Sequence, residues 1–206
     1  MGERSCMYMF EKCTSLTNAP ELPAIKLGYN CYCEMFENCT SLINGPSVLP
    51  ATTLAENCYQ SMFSNCTSLS SAPELPATAL AKGCYQSMFY KCTSLSSAPE
   101  LPAITLAESC YYGMFQGCIS LTQSPKLPAV ILEKHCYDSM FENCTSLSSI
   151  FVNFLNWHAF YGIYASNLNA TYNWLANVSS NGTFICFDDL DINKRNSERN
   201  SRKLEY

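Results

Sequence analysis

Histidine is almost missing from this chain. Two residues, His135 and His158, stand among 206, a scarcity that argues against a His-based catalytic or metal site. Charge is also scarce: Lys, Arg, Asp and Glu together make up 14% of the residues, against about 25% in an average globular domain. With 48% hydrophobic and 13% aromatic residues, the low charge argues against a disordered chain. Basic residues are outnumbered 12 to 17, giving a net charge of −5 and a pI near 5.0. That is not the electrostatic footprint of a nucleic-acid binder. No run of 18 apolar residues occurs and the mean hydropathy is −0.04, so no membrane span is expected. There is no Ser-His-Asp order, Gly-rich phosphate loop or paired-carboxylate constellation. The expectation is a non-enzyme with no cofactor and no bound metal.

Repetition is what the sequence has in abundance. Met-Phe recurs at Met9, Met35, Met62, Met88, Met114 and Met140, in steps of 26, 27, 26, 26 and 26 residues. The longer step comes from Gly45-Pro-Ser-Val-Leu-Pro50, one residue more than Ala72-Pro-Glu-Leu-Pro76, and insertions are tolerated in loops. The unit reads C-Y-x-x-M-F-x-x-C-T-S-L-x-x-A-P-E-L-P-A-x-x-L-x-x-x. A period of about 20–29 residues with leucines at fixed offsets marks a leucine-rich solenoid. Each unit is too small to bury its own apolar face, and stacked units bury a continuous core. One column is Leu16, Leu42, Leu69, Leu95, Leu121 and Leu147. A second is Leu22, Leu49, Leu75, Leu101 and Leu127, and a third Leu27, Leu54, Leu80, Leu106 and Leu132. Phe10, Phe36, Phe63, Phe89, Phe115 and Phe141 make a fourth. Each should be an inward-pointing ladder.

The expected fold is an α/β solenoid, with short parallel strands on one face, short helical turns on the other and a C-terminal cap. Leu69–Ala72 reads as an extended strand, ended by Pro73 and Pro76, which cannot donate to a ladder. Cys58–Phe63 lacks Pro and Gly and reads as one or two helical turns, since Cys58, Met62 and Cys66 keep a spacing of four. Asn38, Asn65, Asn143 and Gly117 tolerate left-handed backbone and should stop that turn. Residues 1–148 form the array of about six units, the first one partial. Residues 149–187 form the cap, with a final strand over 150–157, a helix starting near Asn169 and a strand over 183–187. Residues 188–206 read as a polar, disordered tail.

At this point the repeat resembles a known family. Phe89-Tyr-Lys-Cys92-Thr-Ser-Leu95, followed by Pro-bounded Ala98-Pro-Glu-Leu-Pro102, is similar to the BspA-like leucine-rich repeats, whose unit carries A-F-x-x-C-x-x-L and then V-x-I-P. Asn173-Trp-Leu-Ala-Asn-Val178 and Gly182-Thr-Phe-Ile-Cys186 are similar to the segment that follows such arrays. The resemblance covers roughly residues 3–187. It implies cell-surface or secreted display and binding of a ligand or host protein, and it implies no catalytic residues. No apolar leader precedes the first unit, and two explanations stand: a fragment of a longer reading frame, or a cytoplasmic protein whose first rung caps itself.

Candidate sites follow from the columns. Thirteen of 14 cysteines lie in the array. Cys13, Cys39, Cys66, Cys92, Cys118 and Cys144 form one column, and Cys31, Cys58, Cys84, Cys110 and Cys136 another. Cys6 sits one place off the second, as if the first unit were a residue shorter. A ladder of small buried thiols is the leading reading. Disulfides and a metal cluster of Cys31, Cys33 and Cys39 are the alternatives. Tyr32, Tyr59, Tyr85, Tyr111 and Tyr137 read as packed convex surface. His135 reads as a variable surface position, and Glu21, Glu74 and Glu100 as a solvated acidic stripe. The candidate binding face is Ser70, Ser71, Glu74, Ser96, Ser97, Glu100, Thr122 and Gln123. Its partner would be a protein or a glycan, bound weakly or multivalently because the face lacks aromatic anchors. A spacer arm without a ligand, and a thiol redox or metal store, are the other function classes. With its first rung capped the chain is expected to be a monomer; uncapped, it should associate end to end.

Overall fold

The computed structural model describes residues 1–154, 157 and 170–186. They form a stack of rungs, one per repeat. Leu42, Leu69, Leu95, Leu121 and Leu147 are fully buried, as are Phe36, Phe63, Phe89, Phe115 and Phe141. The Phe rings stack nearly parallel from Phe10 to Phe141, with centroids 5.3–5.7 Å apart. The tyrosines do not lie on the convex surface. They form a second buried ladder from Tyr32 to Tyr137, with centroids 5.6–6.0 Å apart. The hydroxyls of Tyr59 and Tyr85 are buried without a hydrogen-bond partner among the described residues.

The expected helical turns are not there: no described residue is helical. Each Cys-Tyr-x-x-Met-Phe-x-x-Cys stretch is instead a ribbon of overlapping turns. In the second rung the N–H groups of Cys31, Cys33, Met35, Glu37 and Cys39 donate three residues back along the chain. The alternate N–H groups, on Asn30, Tyr32, Glu34, Phe36 and Asn38, leave the rung. They donate to the carbonyls of Glu56, Cys58, Gln60, Met62 and Ser64 at 2.8–3.2 Å. A helix would spend every N–H on its own chain, whereas the ribbon spends half of them on the next rung. The backbone becomes left-handed at every fourth residue, as at Asn30, Glu34 and Asn38, or Gly83, Ser87 and Lys91. The expected left-handed positions Asn38, Asn65, Asn143 and Gly117 are among them; each closes a series of three, not a helix. Left-handed backbone costs a non-glycine residue about 1–2 kcal/mol, so the inter-rung bonds and ring stacking have to offset up to three such positions per rung, fewer where Gly83, Gly113 and Gly117 take them.

Strands are fewer than expected. Three parallel strands pair in the order β1 (Gln123–Leu127), β2 (Ser149–Val152) and β3 (Thr183–Ile185). In earlier rungs the strand side is reduced to single bridges such as Asn18↔Asn44, Asn44↔Ser71 and Val48↔Glu74, so Leu69–Ala72 is no strand. The prolines explain it, because each removes a ladder donor. β1 also contains a proline, and its register shifts between Gln123 and Lys126. There Ser124 Oγ accepts the Phe151 N–H at 3.1 Å.

Two register expectations change. The first unit is not shorter: left-handed positions 4, 8 and 12 match 30, 34 and 38. The Cys6 N–H donates to the Cys31 carbonyl as that of Tyr32 does to Cys58. Cys6 therefore occupies the Tyr column and Ser5 the Cys column. In the cap, residues 172–177 are turns, not a helix. They are another ribbon, accepting from Tyr137, Ser139, Phe141 and Asn143 through the carbonyls of Ala170, Tyr172, Trp174 and Ala176. Phe154 and Trp174 pack over the last Tyr and Phe rings, and Trp157 and Phe184 pack on them in turn. Residues 155, 156, 158–169 and 187–206 lie outside the description, and with them His158, Asn169 and the tail.

Candidate binding face

Between the first leucine column and the first proline of the first five units, two adjacent residues both face solvent, and they are small and polar except for Ile43 in the second unit. Ser70, Ser71, Ser96, Ser97, Thr122 and Gln123 are all exposed, as are Glu74 and Glu100 further along the same side. The rungs bring them into lines. Ser71 bridges to Asn44 and Gln123 pairs with Ser149. Asn44 Nδ2 donates to Asn18 Oδ1 at 2.8 Å, one step down the same line. The acidic line is uneven. Glu21 is occupied structurally, its carboxylate accepting the N–H of Ser47 at 3.0 Å and its hydroxyl at 3.2 Å, which anchors the inserted loop. No ion pair or side-chain hydrogen bond engages Glu74 or Glu100 among the described residues. Lys126 takes their place in the fifth unit.

Beside this lies a line that the sequence reading passed over. Ile25, Thr52, Thr78, Ile104 and Val130 each follow a Pro-Ala pair and are exposed, Ile25 and Ile104 to 69% and 70%. Bridges Lys26↔Thr53 and Ala79↔Thr105 hold the line together. The signal was available in the fixed offset after Pro-Ala and in the run of β-branched residues, which suit an extended backbone.

The thiols do something different from forming a site. In the second cysteine column each Sγ donates to the carbonyl of the Phe one rung below. Cys39 reaches Phe10, Cys66 Phe36, Cys92 Phe63, Cys118 Phe89 and Cys144 Phe115, at 3.0–3.1 Å. Burial pushes these thiols up, Cys144 to about 12. Burial and then the adjacent Glu34 carboxylate push Cys33 up to about 12. Raised pKa values mean few thiolates near neutral pH, the opposite of a reactive cysteine. Among the described residues no group of three or more His, Cys, Asp or Glu is placed to hold a metal ion.

Two further polar clusters lie on the ribbon side. Burial first, and the neighbouring Glu34 carboxyl second, push the Glu37 carboxyl up to about 7; Ser64 Oγ donates to it at 3.4 Å. His135 is not a free surface residue. Its Nδ1 meets Asp138 Oδ2 at 2.5 Å, and Asp138 Oδ1 accepts the Tyr172 N–H at 2.8 Å. The pair thus ties the last ribbon to the array.

No helix among the described residues is long and apolar enough to cross a membrane. No protein-family model and no curated protein sequence matches the chain. Among solved structures it is similar to the crystal structure of a leucine-rich repeat protein from T. pallidum. That similarity has 17% identity and a TM-score of 0.49, over 97% of this chain and 76% of that one.

Proposed function

We propose that the chain is a non-catalytic repeat scaffold that binds a protein or glycan through its strand-side lines, as part of a BspA-like cell-surface or secreted protein. The observation that carries this reading is that Ser70, Ser71, Ser96, Ser97, Thr122 and Gln123 are exposed in register, with Glu74 and Glu100 beside them. These side chains offer hydroxyl, amide and carboxylate contacts. No rung presents an aromatic anchor on that line, so no rung supplies a dominant share of binding energy. Several weak sites on one frame add through effective concentration. The surface placement rests on the resemblance of the Met-Phe-x-x-Cys-Thr-Ser-Leu unit and is tested separately, by locating the protein in its source cells.

The test is a screen of extracellular proteins and glycans against the full chain, followed by Glu74→Lys, Glu100→Lys and paired Ser→Ala changes in successive rungs. Affinity should fall stepwise, several-fold per rung. Abolition of binding by one substitution on the ribbon side would overturn the distributed face. A spacer arm is the second reading, favoured by the near-identity of the rungs, and it takes over if the screen finds no partner.

A further inference from the structure

Where the chain passes from the strand side into the ribbon, the stack carries a charge pattern. Two residues after the third leucine column come Glu56, Lys82, Glu108 and Lys134. Their carbonyls accept the N–H groups of Asn30, Asn57, Gly83 and Ser109 at 2.9–3.2 Å, so the four stand in register along the stack. The sign alternates at every step. Lys82 meets Glu108 at 3.5 Å, and Lys134 meets it at 3.9 Å. Glu56 and Lys82 are exposed and Glu108 and Lys134 half-buried. Ion pairs this open contribute little to stability, so folding does not account for the alternation.

Four residues before each charge runs the β-branched line, no farther than about 14 Å along the chain. Ile104 is 70% exposed, Val130 48% and Ile131, one place further along, 63%. Leu54 and Leu80 of the third leucine column, and Ala81 and Ala107 beyond it, are partly open as well. An exposed apolar strip bordered by charges is the mark of a protein–protein contact. Its two halves differ. Thr52, Thr78 and Ala79 are small or carry a hydroxyl, whereas Ile104, Val130 and Ile131 are aliphatic. The change from one half to the other falls between the same two rungs as the midpoint of the charge column, between Lys82 and Glu108. These are central rungs, away from both ends of the stack.

We infer that two copies of this chain pair side by side and antiparallel through this edge, about a two-fold axis that runs across the stack between Lys82 and Glu108. Reversal turns Glu-Lys-Glu-Lys into Lys-Glu-Lys-Glu. Every charge of one copy then faces its opposite on the other: Glu56 faces the partner's Lys134, and Lys82 the partner's Glu108. The same operation sets Thr78 against the partner's Ile104 and Thr52 against the partner's Val130, the small half on the aliphatic half. Such self-complementarity is what an isologous contact requires. Laid parallel along the same column, each charge would face its like. The apolar strip supplies affinity, and the charges fix the direction. The pair is closed, so it is neither the expected monomer nor an end-to-end stack. It does not depend on what Ser70, Ser96 and their neighbours bind.

Sedimentation velocity on the full chain in reducing buffer, over a wide concentration range, should show one step from monomer to dimer and no larger species. Lys82→Glu sets like charges against each other at both symmetry-related positions and should weaken the dimer at least about tenfold. Glu108→Lys should do the same. With both changes in one chain the column reads Glu-Glu-Lys-Lys. Across the two-fold axis every pair is again opposite, whereas within the chain only the central neighbours attract. The double variant should therefore dimerise as the unaltered chain does, although its own ladder is broken. Ile104→Glu, on a side chain already open to solvent, should weaken the dimer. Lys91→Glu, on the ribbon side, changes the net charge as Lys82→Glu does and should leave the dimer unchanged. Species beyond the dimer, a dimer indifferent to Lys82→Glu or Ile104→Glu, an equal loss with Lys91→Glu, or a double variant no better than the single ones would each overturn the antiparallel pair. A monomer at all concentrations would overturn it too and leave the strip to a foreign protein.

Discussion

Two ladders of the same rungs treat their polar atoms in opposite ways. A cysteine in the second column is small enough to be buried and carries a weak donor. The Phe63 carbonyl accepts the Cys66 N–H at 3.0 Å within its own rung and the Cys92 thiol at 3.0 Å from the next. The thiol so fills the second lone pair of a buried carbonyl. The tyrosines stack equally well, yet the hydroxyls of Tyr59 and Tyr85 gain nothing comparable. A buried hydroxyl without a partner costs roughly 1–3 kcal/mol, so the ring, not the oxygen, earns the column its place. Tyr85→Phe keeps the stacking with Tyr59 and Tyr111 and removes the stranded oxygen. It should stabilise the protein by about 1 kcal/mol in urea denaturation. A loss of stability instead would mean that the hydroxyl holds a bound water.

At the scale of the element, the ribbon and the three strands depend on close main-chain approach, and one residue makes this testable. A Cβ on Gly182 would overlap the Ser148 carbonyl oxygen and lie 2.8 Å from its carbonyl carbon, the same carbonyl that accepts the Thr183 N–H at 2.7 Å. Gly182→Ala should detach β3 from β2, uncover the Trp157 and Trp174 rings that meet Phe184, and cost about 1–3 kcal/mol. Gly2→Ala, with nothing within 4 Å of its Cβ, is the control, and tryptophan emission during urea unfolding separates the two. The sequence is informative about such elements in proportion to how many structures share a spacing. Leu and Phe at a fixed offset in every unit admit one reading, a stacked interior, and these columns are buried except at Phe10, Leu16, Leu54 and Leu80, which are partly buried against it. Cys58, Met62 and Cys66 admit two, because a spacing of four belongs both to a helix and to a ribbon that turns left-handed every fourth residue. The deciding signal lay between them. Asn57, Ser61 and Asn65, then Ser109, Gly113 and Gly117, repeat residues that are poor helix formers, at the left-handed positions. The exposure of Ser70, Ser71, Ser96 and Ser97 was legible because small polar residues beside a buried leucine column have nowhere to point but outward. The β-branched line was not, since Ile25 and Ile104 look like core residues until the backbone is known.

For the whole molecule, the ladders gather many weak acids in one apolar interior. Cys58, Cys66, Cys84, Cys92, Cys110, Cys118 and Cys136 have thiols raised above their ordinary value of 9.0, burial being the largest cause in each case. Tyr59, Tyr85, Tyr111 and Tyr137 have phenols raised above 10.0 by burial and then by neighbouring thiols. Burial and then Cys31 push Tyr32 up to about 12. In each case the folded state binds the proton more tightly than the unfolded chain does. The stability tied to the neutral form is therefore complete below about pH 9 and is lost as the pH rises through about 12, the folded-state position of Cys33, Cys144 and Tyr32. Because rungs stabilise one another only through their junctions, charging any central rung weakens both neighbours. The expected outcome is a cooperative alkaline unfolding between about pH 9 and 12, in which thiolate and phenolate absorbance rise together with loss of the circular dichroism signal. Thiol reagents should label Cys13 ahead of the buried columns at pH 7, and label those columns only past the transition. Gradual titration of the thiols with the fold intact would show that the ladders are open to water and that the buried-column assignment is wrong.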